Sequence, residues 1–258
     1  MSSFLLKIIA IISMTIDHAA KIIGQHGLME LFHISLSTSY RVIHIMEIFG
    51  RMAFPIFAFL IAEGARKTRS MPKYIGRLAL FAVISEPIFY FGNIVRNEVG
   101  LMDFINHLLG LNFSNVFFTL MLGASAIYAY QLLENKPKKM RYWYIPILVL
   151  IVFVGGYIGC DYGMAGIILI VALYFAQKKP HKVAVILIWS VALYIISQGM
   201  GNWSQVWNLP IAKCIFATLS SVLICLYNGK RGKPLKWLFY IYYPAHILVL
   251  SCLSSIIT

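Results

Sequence analysis

The sequence predicts an all-α protein, a polytopic bundle of about nine transmembrane helices. Three observations support this fold class: 60% of the 258 residues are hydrophobic, only 12% are charged, and the mean hydropathy is +0.79. A soluble globular domain carries roughly 25% charged residues, so that class is excluded. The apolar runs follow one another without a long polar linker, which predicts a single transmembrane domain over residues 1–258.

The apolar runs have the length that membrane crossing requires. An α-helix needs roughly 20 mainly apolar residues to cross the hydrocarbon layer. Nine runs meet or approach this length, and they cover residues 4–24, 45–64, 74–93, 114–133, 143–159, 164–177, 183–200, 209–227 and 237–256. The fifth and sixth are short, and the glycines between residues 155 and 166 are typical of a bent or re-entrant hairpin. The sequence leaves open whether this hairpin spans the bilayer fully.

Basic residues are distributed unequally among the loops, and this asymmetry predicts the orientation. The loops after the even-numbered spans hold Arg66, Lys67, Arg69, Lys73, Lys136, Lys138, Lys139, Arg141, Lys178, Lys179, Lys182, Lys230, Arg231, Lys233 and Lys236. In the other loops, residues 25–44 hold only Arg41 and residues 94–113 only Arg96. Because basic loops stay in the cytoplasm, the N-terminus is predicted to be cytoplasmic and the C-terminus extracytoplasmic. The net charge of +13 is then explained by this orientation in the membrane and does not indicate nucleic-acid binding.

Ionisable side chains inside the apolar spans are the first functional candidates, because a charge at membrane depth is costly. Asp17 and Lys21 in the first span are four residues apart, so they share a helix face and can pair. Asp17 and His18 point about 100° apart, so a direct bond between them is not assured. Glu47 and Arg51 in the second span form another acid–base pair at the same spacing, and packing alone explains this second pair equally well.

Two further spans carry polar groups at a similar depth. At about 1.5 Å of rise per residue, Asp17 and Glu86 lie about 18 Å from the inner ends of their spans, and His246 lies about 14 Å from its own. Arg51 lies about 9 Å below the outer end of the second span. Side chains at one depth on separate helices can converge, so this layer is the predicted reaction centre.

The same ionisable residues also fit a second class of protein. They can form the proton relay of a membrane transporter, and helices interrupted by Pro55, Pro87 and Pro244 suit a carrier. The sequence shows no paired halves with matching interruptions. A non-enzymatic scaffold is a third interpretation. The four cysteines are scattered without metal-ligand spacing, so neither a disulfide framework nor a metal site is predicted.

Several stretches, in order from the first span to the ninth, carry a family resemblance. They are Thr15-Ile16-Asp17-His18, Phe49-Gly50-Arg51-Met52-Ala53-Phe54-Pro55, Glu63-Gly64-Ala65-Arg66-Lys67-Thr68-Arg69, Tyr74-Ile75-Gly76-Arg77-Leu78, Ile84-Ser85-Glu86-Pro87, Asn115-Val116-Phe117-Phe118-Thr119-Leu120, Cys160-Asp161-Tyr162-Gly163 and Tyr242-Tyr243-Pro244-Ala245-His246. Together they resemble the TraX family, named for conjugal-transfer pilin acetylases. The chain also distantly resembles membrane acyltransferases of the heparan-glucosaminide acetyltransferase type.

The resemblance implies a reaction and a catalytic set. An acetyl group would pass from cytoplasmic acetyl-CoA, the donor substrate, to an amine of a pilin N-terminus or amino sugar, or to a hydroxyl, at or beyond the membrane. His18 would act as general base or carry the acetyl group itself. Asp17 or Glu86 would orient its imidazole, and Arg51 would stabilise the oxyanion. The implied location is a bacterial-type cytoplasmic membrane, which the chain crosses several times.

The resemblance also implies two sets of binding residues. Coenzyme A carries several phosphate charges that Arg and Lys can hold. The residues expected to hold them are Arg66, Lys67, Arg69 and Arg77. Topogenic charge explains each of these equally well, and snorkelling to the interface is the simpler interpretation of Arg77. The residues expected to contact the acceptor are Asn115, Thr119, Asp161, Tyr243 and His246, and the last two are also second-choice acid–base groups.

Overall fold

The fold is helical throughout the part of the chain that is described. A computed structural model describes residues 1–97, 115–198, 210–233 and 236–257, together with residues 105, 109, 110 and 113. Its helices are α1 (Ser3–Phe32), α2 (Leu36–Gly50), α3 (Ala53–Lys67), α4 (Met71–Asn97), α5 (Val116–Leu133), α6 (Lys138–Arg141), α7 (Tyr144–Tyr157), α8 (Gly163–Phe175), α9 (Lys179–Gln198), α10 (Pro210–Cys225) and α11 (Lys236–Ile257). The predicted all-α class is therefore confirmed.

Within the described residues, six helical stretches are long and apolar enough to cross a membrane. They are Ser3–Phe32, Leu36–Lys67, Val116–Leu133, Lys138–Tyr157, Lys179–Ile196 and Trp237–Ile257. The apolar helices Gly163–Phe175 and Ile211–Cys225 are shorter. The described residues of each of the nine predicted spans are mainly helical, which supports a helical membrane bundle; residues 114, 199, 200 and 209 of these spans lie outside the described part of the chain. The count of nine crossings and the sides on which the termini lie stay predictions.

The predicted second span, residues 45–64, is not one continuous helix. Helix α2 ends at Gly50 and α3 begins at Ala53, so Arg51 and Met52 lie in a turn between them. Pro55 explains the interruption. It has no N–H to bond the carbonyl of Arg51, four residues earlier, and its ring would clash with that carbonyl in a straight helix.

Helix α1 extends beyond the predicted end of the first span but changes direction there. The prediction ended at residue 24, whereas the helix continues to Phe32. Gly24 has φ 66° and ψ −170°, outside the helical range. Positive φ is accessible to glycine at little cost, so Gly24 supplies the kink that separates the Asp17–His18 segment from the rest of α1.

The glycine-rich segment around residues 155–166 forms a tight helical hairpin. Helices α7 and α8 have 14 and 13 residues and are joined by residues 158–162. Tyr162 occupies the left-handed region with φ 61° and precedes the first residue of α8. A side chain at Gly155 would meet the terminal methyl group of Ile167 on α8, so a larger residue here would require that side chain to move. The expected bend is thus present, as a helix–turn–helix.

The helices group into two compact units. The first contains residues 1–57, 88–99 and 179–258, and the second contains residues 58–87 and 100–178. In the first unit α1 packs against α2 and α11, while α10 packs against α2 and α9. In the second unit α5 packs against α7 and α8, which also contact each other. The polar residues singled out above are divided between these units.

Candidate functional site

Two histidines from opposite ends of the chain meet in the first unit. The Nδ1 atom of His18, on α1, lies 2.7 Å from Nε2 of His246, on α11. Their ring planes are 20° from parallel, with centroids 5.0 Å apart. Together these distances place the rings edge to edge and nearly coplanar, as a linear N–H···N hydrogen bond requires. We call these two residues the histidine pair.

The surroundings of the pair define which nitrogen carries each proton. Nδ1 of His246 lies 2.9 Å from the backbone carbonyl of Tyr242, which can only accept. Nδ1 of His246 is therefore the donor, and in the neutral ring its Nε2 has a lone pair. Nδ1 of His18 must then donate to that lone pair, which leaves Nε2 of His18 as the unprotonated nitrogen. Among the described residues, that Nε2 atom has no hydrogen-bond partner.

Aromatic rings hold the histidine pair in place. The Tyr242 ring stacks on His246 at 5.1 Å with an interplanar angle of 10°. The Tyr242 hydroxyl lies 2.8 Å from the Thr15 hydroxyl on α1, so α1 and α11 are bonded to each other one turn away from the histidines. Tyr243, which is 4% exposed, makes T-shaped contacts with both imidazoles. His246 is buried and His18 half-buried.

Asp17 pairs with Lys21, as the spacing predicts, at 2.6 Å. The sequence also suggested Asp17 or Glu86 as the group that orients the His18 imidazole. In the structure the hydrogen-bond partner of that imidazole is His246. The second carboxylate oxygen of Asp17 is buried and accepts no hydrogen bond from the described residues. Gly50 of α2 packs directly against Asp17, and any side chain at position 50 would clash with it.

The predicted pairing of Glu47 with Arg51 is wrong. The Glu47 carboxylate lies 2.5 Å from Nζ of Lys213 on α10 and 3.9 Å from Nδ1 of His44. The pairing fails because α2 ends at Gly50, so Arg51 is no longer on a continuing helix face. The backbone N–H of Arg51 closes the last turn of α2 on the carbonyls of Ile48 and Phe49.

Glu86 and Asn115 meet in the second unit, at the start of α5. The side-chain amide of Asn115 donates to the Glu86 carboxylate at 2.5 Å and to the carbonyl of Ala82 at 2.9 Å. Its amide oxygen accepts from the backbone N–H of Phe117 at 3.0 Å, so Asn115 is the N-cap of α5. Both residues are buried. The polar atoms of the Asn115 side chain are thus engaged in holding α4 against α5.

The other predicted acceptor-binding residues of the second unit are also engaged in the fold. The hydroxyl of Thr119, which is fully buried, donates to the backbone carbonyl of Asp161. The Asp161 residue itself is exposed at the α7–α8 turn. Tyr243 and His246 belong instead to the first unit, so the predicted acceptor-binding set is divided between the two units.

The basic residues predicted to hold coenzyme A have different environments. Arg66 donates to the carbonyls of Leu173 and Tyr174, which end α8, as cations commonly do at helix C-termini. Glu63 pairs with Arg66 at 3.2 Å and with Lys67 at 2.8 Å. Because Arg66 already satisfies these carbonyls, it has fewer donors left for a phosphate.

The remaining two basic residues of that predicted set are less engaged. Arg69 is exposed in the turn after α3. Arg77 is half-buried, and its guanidinium lies 5.9 Å from the centroid of the Tyr74 ring, within cation–π range. No cluster of three or more His, Cys, Asp or Glu that could hold a metal occurs within the described ranges.

Sequence reasoning named both histidines but missed that they are partners, and it missed Lys213 as the partner of Glu47. The two histidines are 228 positions apart. The local sequence offered one signal for this pairing. Thr15 precedes His18 by three residues and Tyr242 precedes His246 by four, so each histidine has a hydroxyl one turn before it. Nothing local marks Lys213, which lies in the apolar helix α10.

The fold and the site define a class: a polytopic helical membrane protein with hydrogen-bonded ionisable side chains inside its helices. The chain belongs to the TraX family, because the family model described as "TraX protein" matches residues 2–254. The expected family membership is thereby confirmed. The chain is 28% identical to the "Probable fimbrial assembly protein FimC, serogroup H1" of Dichelobacter nodosus, over 96% of this chain and 94% of that protein. No solved structure matches the chain.

Proposed function

We propose that this chain is a membrane acetyltransferase that moves an acetyl group from acetyl-CoA to an amine or hydroxyl acceptor at the membrane. One observation carries the proposal. Nδ1 of His18 is held by the buried His246, while its Nε2 has no partner in the described part of the chain. A half-buried imidazole with an available basic nitrogen inside a membrane helix is suited to accept a proton from an attacking group.

The chemistry begins at Nε2 of His18. As the acceptor nitrogen or oxygen forms a bond to the thioester carbonyl carbon, its proton passes to Nε2. The Nδ1 proton of His18 shifts at the same time to Nε2 of His246, so the positive charge rests on the ring that Tyr242 stacks against. When the carbon–sulfur bond breaks, the protons return along this path, and the coenzyme A thiolate leaves as the thiol. Arg51 keeps its predicted role of stabilising the oxyanion.

The acceptor that we favour is the N-terminal amine of a pilin or fimbrial subunit. The family name and the name of the fimbrial assembly relative support this choice. An amino sugar or a surface hydroxyl can undergo the same chemistry, since each offers a nucleophile with one proton to lose. The reaction then joins a donor made in the cytoplasm to an acceptor presented at or beyond the membrane.

The central test is acetyl transfer by the purified protein in lipid bilayers, supplied with labelled acetyl-CoA and a pilin N-terminal peptide, an amino sugar or a hydroxylated glycan. We expect label to appear in one acceptor and His18→Ala to lower turnover by about 10²–10⁴-fold, the range for loss of a general base. His26→Ala is the matched control, because His26 is an exposed histidine on the same helix. Full turnover in His18→Ala would remove His18 from the mechanism.

His246 is tested by the contrast between glutamine and alanine at that position. A glutamine carbonyl can accept from Nδ1 of His18 and keep its tautomer, but it cannot take up the proton. We therefore expect His246→Gln to retain the fold and lower kcat with little change in KM, and His246→Ala to lower kcat further. Wild-type kcat in His246→Gln would limit His246 to orienting His18.

Coenzyme A binding separates this proposal from the transporter. A ligand that binds the folded state raises the melting temperature by mass action. We expect coenzyme A to raise the melting temperature of the wild-type protein and of His18→Ala alike, because the base does not hold the donor. A carrier for an unrelated solute would show no such shift, and that result would contradict the acetyltransferase.

A further inference from the structure

A cleft in the second unit is lined by none of the residues assigned to the reaction above. It has a volume of about 390 Å³ and is formed by the last turn of α5, the short helix α6 and the start of α7. Its polar and aromatic lining consists of Tyr130, Glu134, Lys138, Arg141, Tyr142 and Tyr144. Two cations, one carboxylate and three phenol groups in one cleft are suited to bind a polar ligand.

The two cations project from the same side of α6. Lys138 and Arg141 are three residues apart, which makes them neighbours on a helix surface. Both are exposed at the cleft. Lysine and arginine that converge in this way bind phosphate through charge-assisted hydrogen bonds. The cleft therefore favours an anionic group of that kind.

The hydroxyl of Tyr144 is a second sign of a ligand. It is buried, and no described residue offers it a hydrogen bond. Buried hydroxyls are normally paired, because an unpaired one loses its water partners without replacement. Tyr130 packs against Tyr144 with ring centroids 5.4 Å apart, so the Tyr144 ring is fixed beside the cleft. A ligand oxygen in the cleft would supply the missing acceptor.

An apolar stripe on α7 begins at the cleft. Ile145, Val149 and Phe153 follow one another at intervals of four residues, so they lie on one helix face. They are 62%, 62% and 64% exposed. Only 6% of the most apolar stretch of Lys138–Tyr157 is buried inside the protein. In a membrane this face meets acyl chains, and the pair of cations in the cleft marks the end of the stripe.

We infer that the cleft binds the phosphate headgroup of a phospholipid whose acyl chains lie along the stripe of Ile145, Val149 and Phe153. Lys138 and Arg141 hold the phosphodiester, and the Tyr144 hydroxyl donates to one of its oxygens. Glu134 accepts from a hydroxyl or ammonium on the far side of the headgroup. Basic pockets beside membrane helices are a recognised mode of lipid binding. The carboxylate adds selectivity for headgroups that carry a hydrogen-bond donor.

The experiment measures lipid retention by native mass spectrometry of the detergent-purified protein, supplied with phosphatidylglycerol, phosphatidylethanolamine or phosphatidylcholine. We expect the first two to be retained several-fold more than phosphatidylcholine, whose headgroup has no donor for Glu134. The double variant Lys138→Gln, Arg141→Gln should lose most of this retention. Lys230→Gln with Arg231→Gln is the matched control, since it removes two cations from the loop before α11.

Tyr144→Phe tests the geometry in a variant that keeps the ring and the stripe. It should fold as the wild type does and retain phosphatidylglycerol several-fold less. Unchanged retention in Lys138→Gln, Arg141→Gln would overturn the inference. A second result would also overturn it. If inorganic phosphate or coenzyme A raised the melting temperature of the wild type but not that of the double variant, the cleft would bind a soluble phosphate ligand.

Discussion

Gly50 sets how closely α1 and α2 approach next to the histidine pair. A side chain at this position would clash with the Cβ, Cγ and Oδ1 atoms of Asp17. A hydrogen bond also joins α1 to α2 here, because the Ser13 hydroxyl donates to the carbonyl of Phe49 at 2.7 Å. Because Asp17 belongs to the tightly packed part of α1, neither helix can shift without disturbing the residue that precedes His18.

Gly50→Ala should therefore destabilise the protein. Forcing one extra methyl group into a packed contact costs about 1–3 kcal/mol. The measurement is the free energy of unfolding in detergent micelles, followed by circular dichroism. Gly76→Ala is the matched control, because Gly76 lies in α4 and a methyl group there would meet no neighbouring segment within 4 Å. Alanine there should be neutral or favourable by up to about 1 kcal/mol.

If both substitutions changed the unfolding free energy equally, the close α1–α2 contact would not be what requires glycine at position 50. In the acetyl-transfer assay, Gly50→Ala should also lower turnover, since Asp17 and His18 are adjacent. Gly76→Ala should leave turnover unchanged. The two readouts together separate a general loss of folded protein from a displacement of the histidine.

At the scale of the helical elements, the N-cap residues of α5 and α2 differ in burial and in the further hydrogen bonds that they make. Asn115 caps α5 from a fully buried position and also donates to Glu86. Ser35 caps α2 by accepting from the N–H of Thr38, in an exposed turn. Both satisfy a backbone N–H that a helix start leaves without a partner. Only the buried cap also connects α5 to α4.

Removing the two caps should therefore lower the free energy of unfolding by different amounts. Ser35→Ala is expected to cost about 1 kcal/mol, the usual value for an N-cap. Asn115→Ala should cost more than about 2 kcal/mol, because it also removes the buried side-chain amide that donates to the Glu86 carboxylate and to the Ala82 carbonyl. Unfolding free energies of the two variants, measured under identical detergent conditions, check this order.

A double-mutant cycle identifies the source of that difference. Glu86→Gln combined with Asn115→Ala should be non-additive by about 0.5–3 kcal/mol, the range for residues in one hydrogen-bond network. Glu86→Gln combined with Ser35→Ala should be additive, since the two residues share no hydrogen-bond network. Additivity in both cycles would show that Asn115 acts as a helix cap alone.

At the scale of the whole molecule, the number of crossings decides where the termini lie. Nine crossings, the count predicted from the apolar runs, place the N- and C-termini on opposite sides of the membrane. Six crossings, the number of described helical stretches long and apolar enough by themselves, would place them on the same side. Three helices that coincide with predicted spans, α4, α8 and α10, are not among these six, so whether they cross the membrane decides the topology.

Reporter fusions measure this directly. We expect alkaline phosphatase to be active when fused after residue 258, and inactive when fused within residues 230–233, because the basic loop stays in the cytoplasm. A fluorescent protein that requires the cytoplasm should give the reverse pattern. A C-terminal fusion that fluoresces would contradict the odd number of crossings, even if every helix is correctly placed.

The sequence by itself determined the helical membrane class and most of the helix positions, and it pointed to the ionisable residues within the apolar spans as candidates. These follow from composition, from the length of the apolar runs and from the cost of placing a charge in lipid. The Asp17–Lys21 pair was also predictable, since both residues lie on one continuous helix four positions apart. The pattern of residues failed for Glu47 and Arg51, where Pro55 interrupts the helix between α2 and α3.

Only the tertiary structure decided the partnerships between distant segments. Helical spacing gives a residue its depth and its face on its own helix, but not which neighbouring helix that face meets. His18 meets His246 because α1 packs against α11, and Glu47 meets Lys213 because α2 packs against α10. Arg66 caps α8 for the same reason. Packing between helices fixes their rotation about their axes, and no local pattern contains that information.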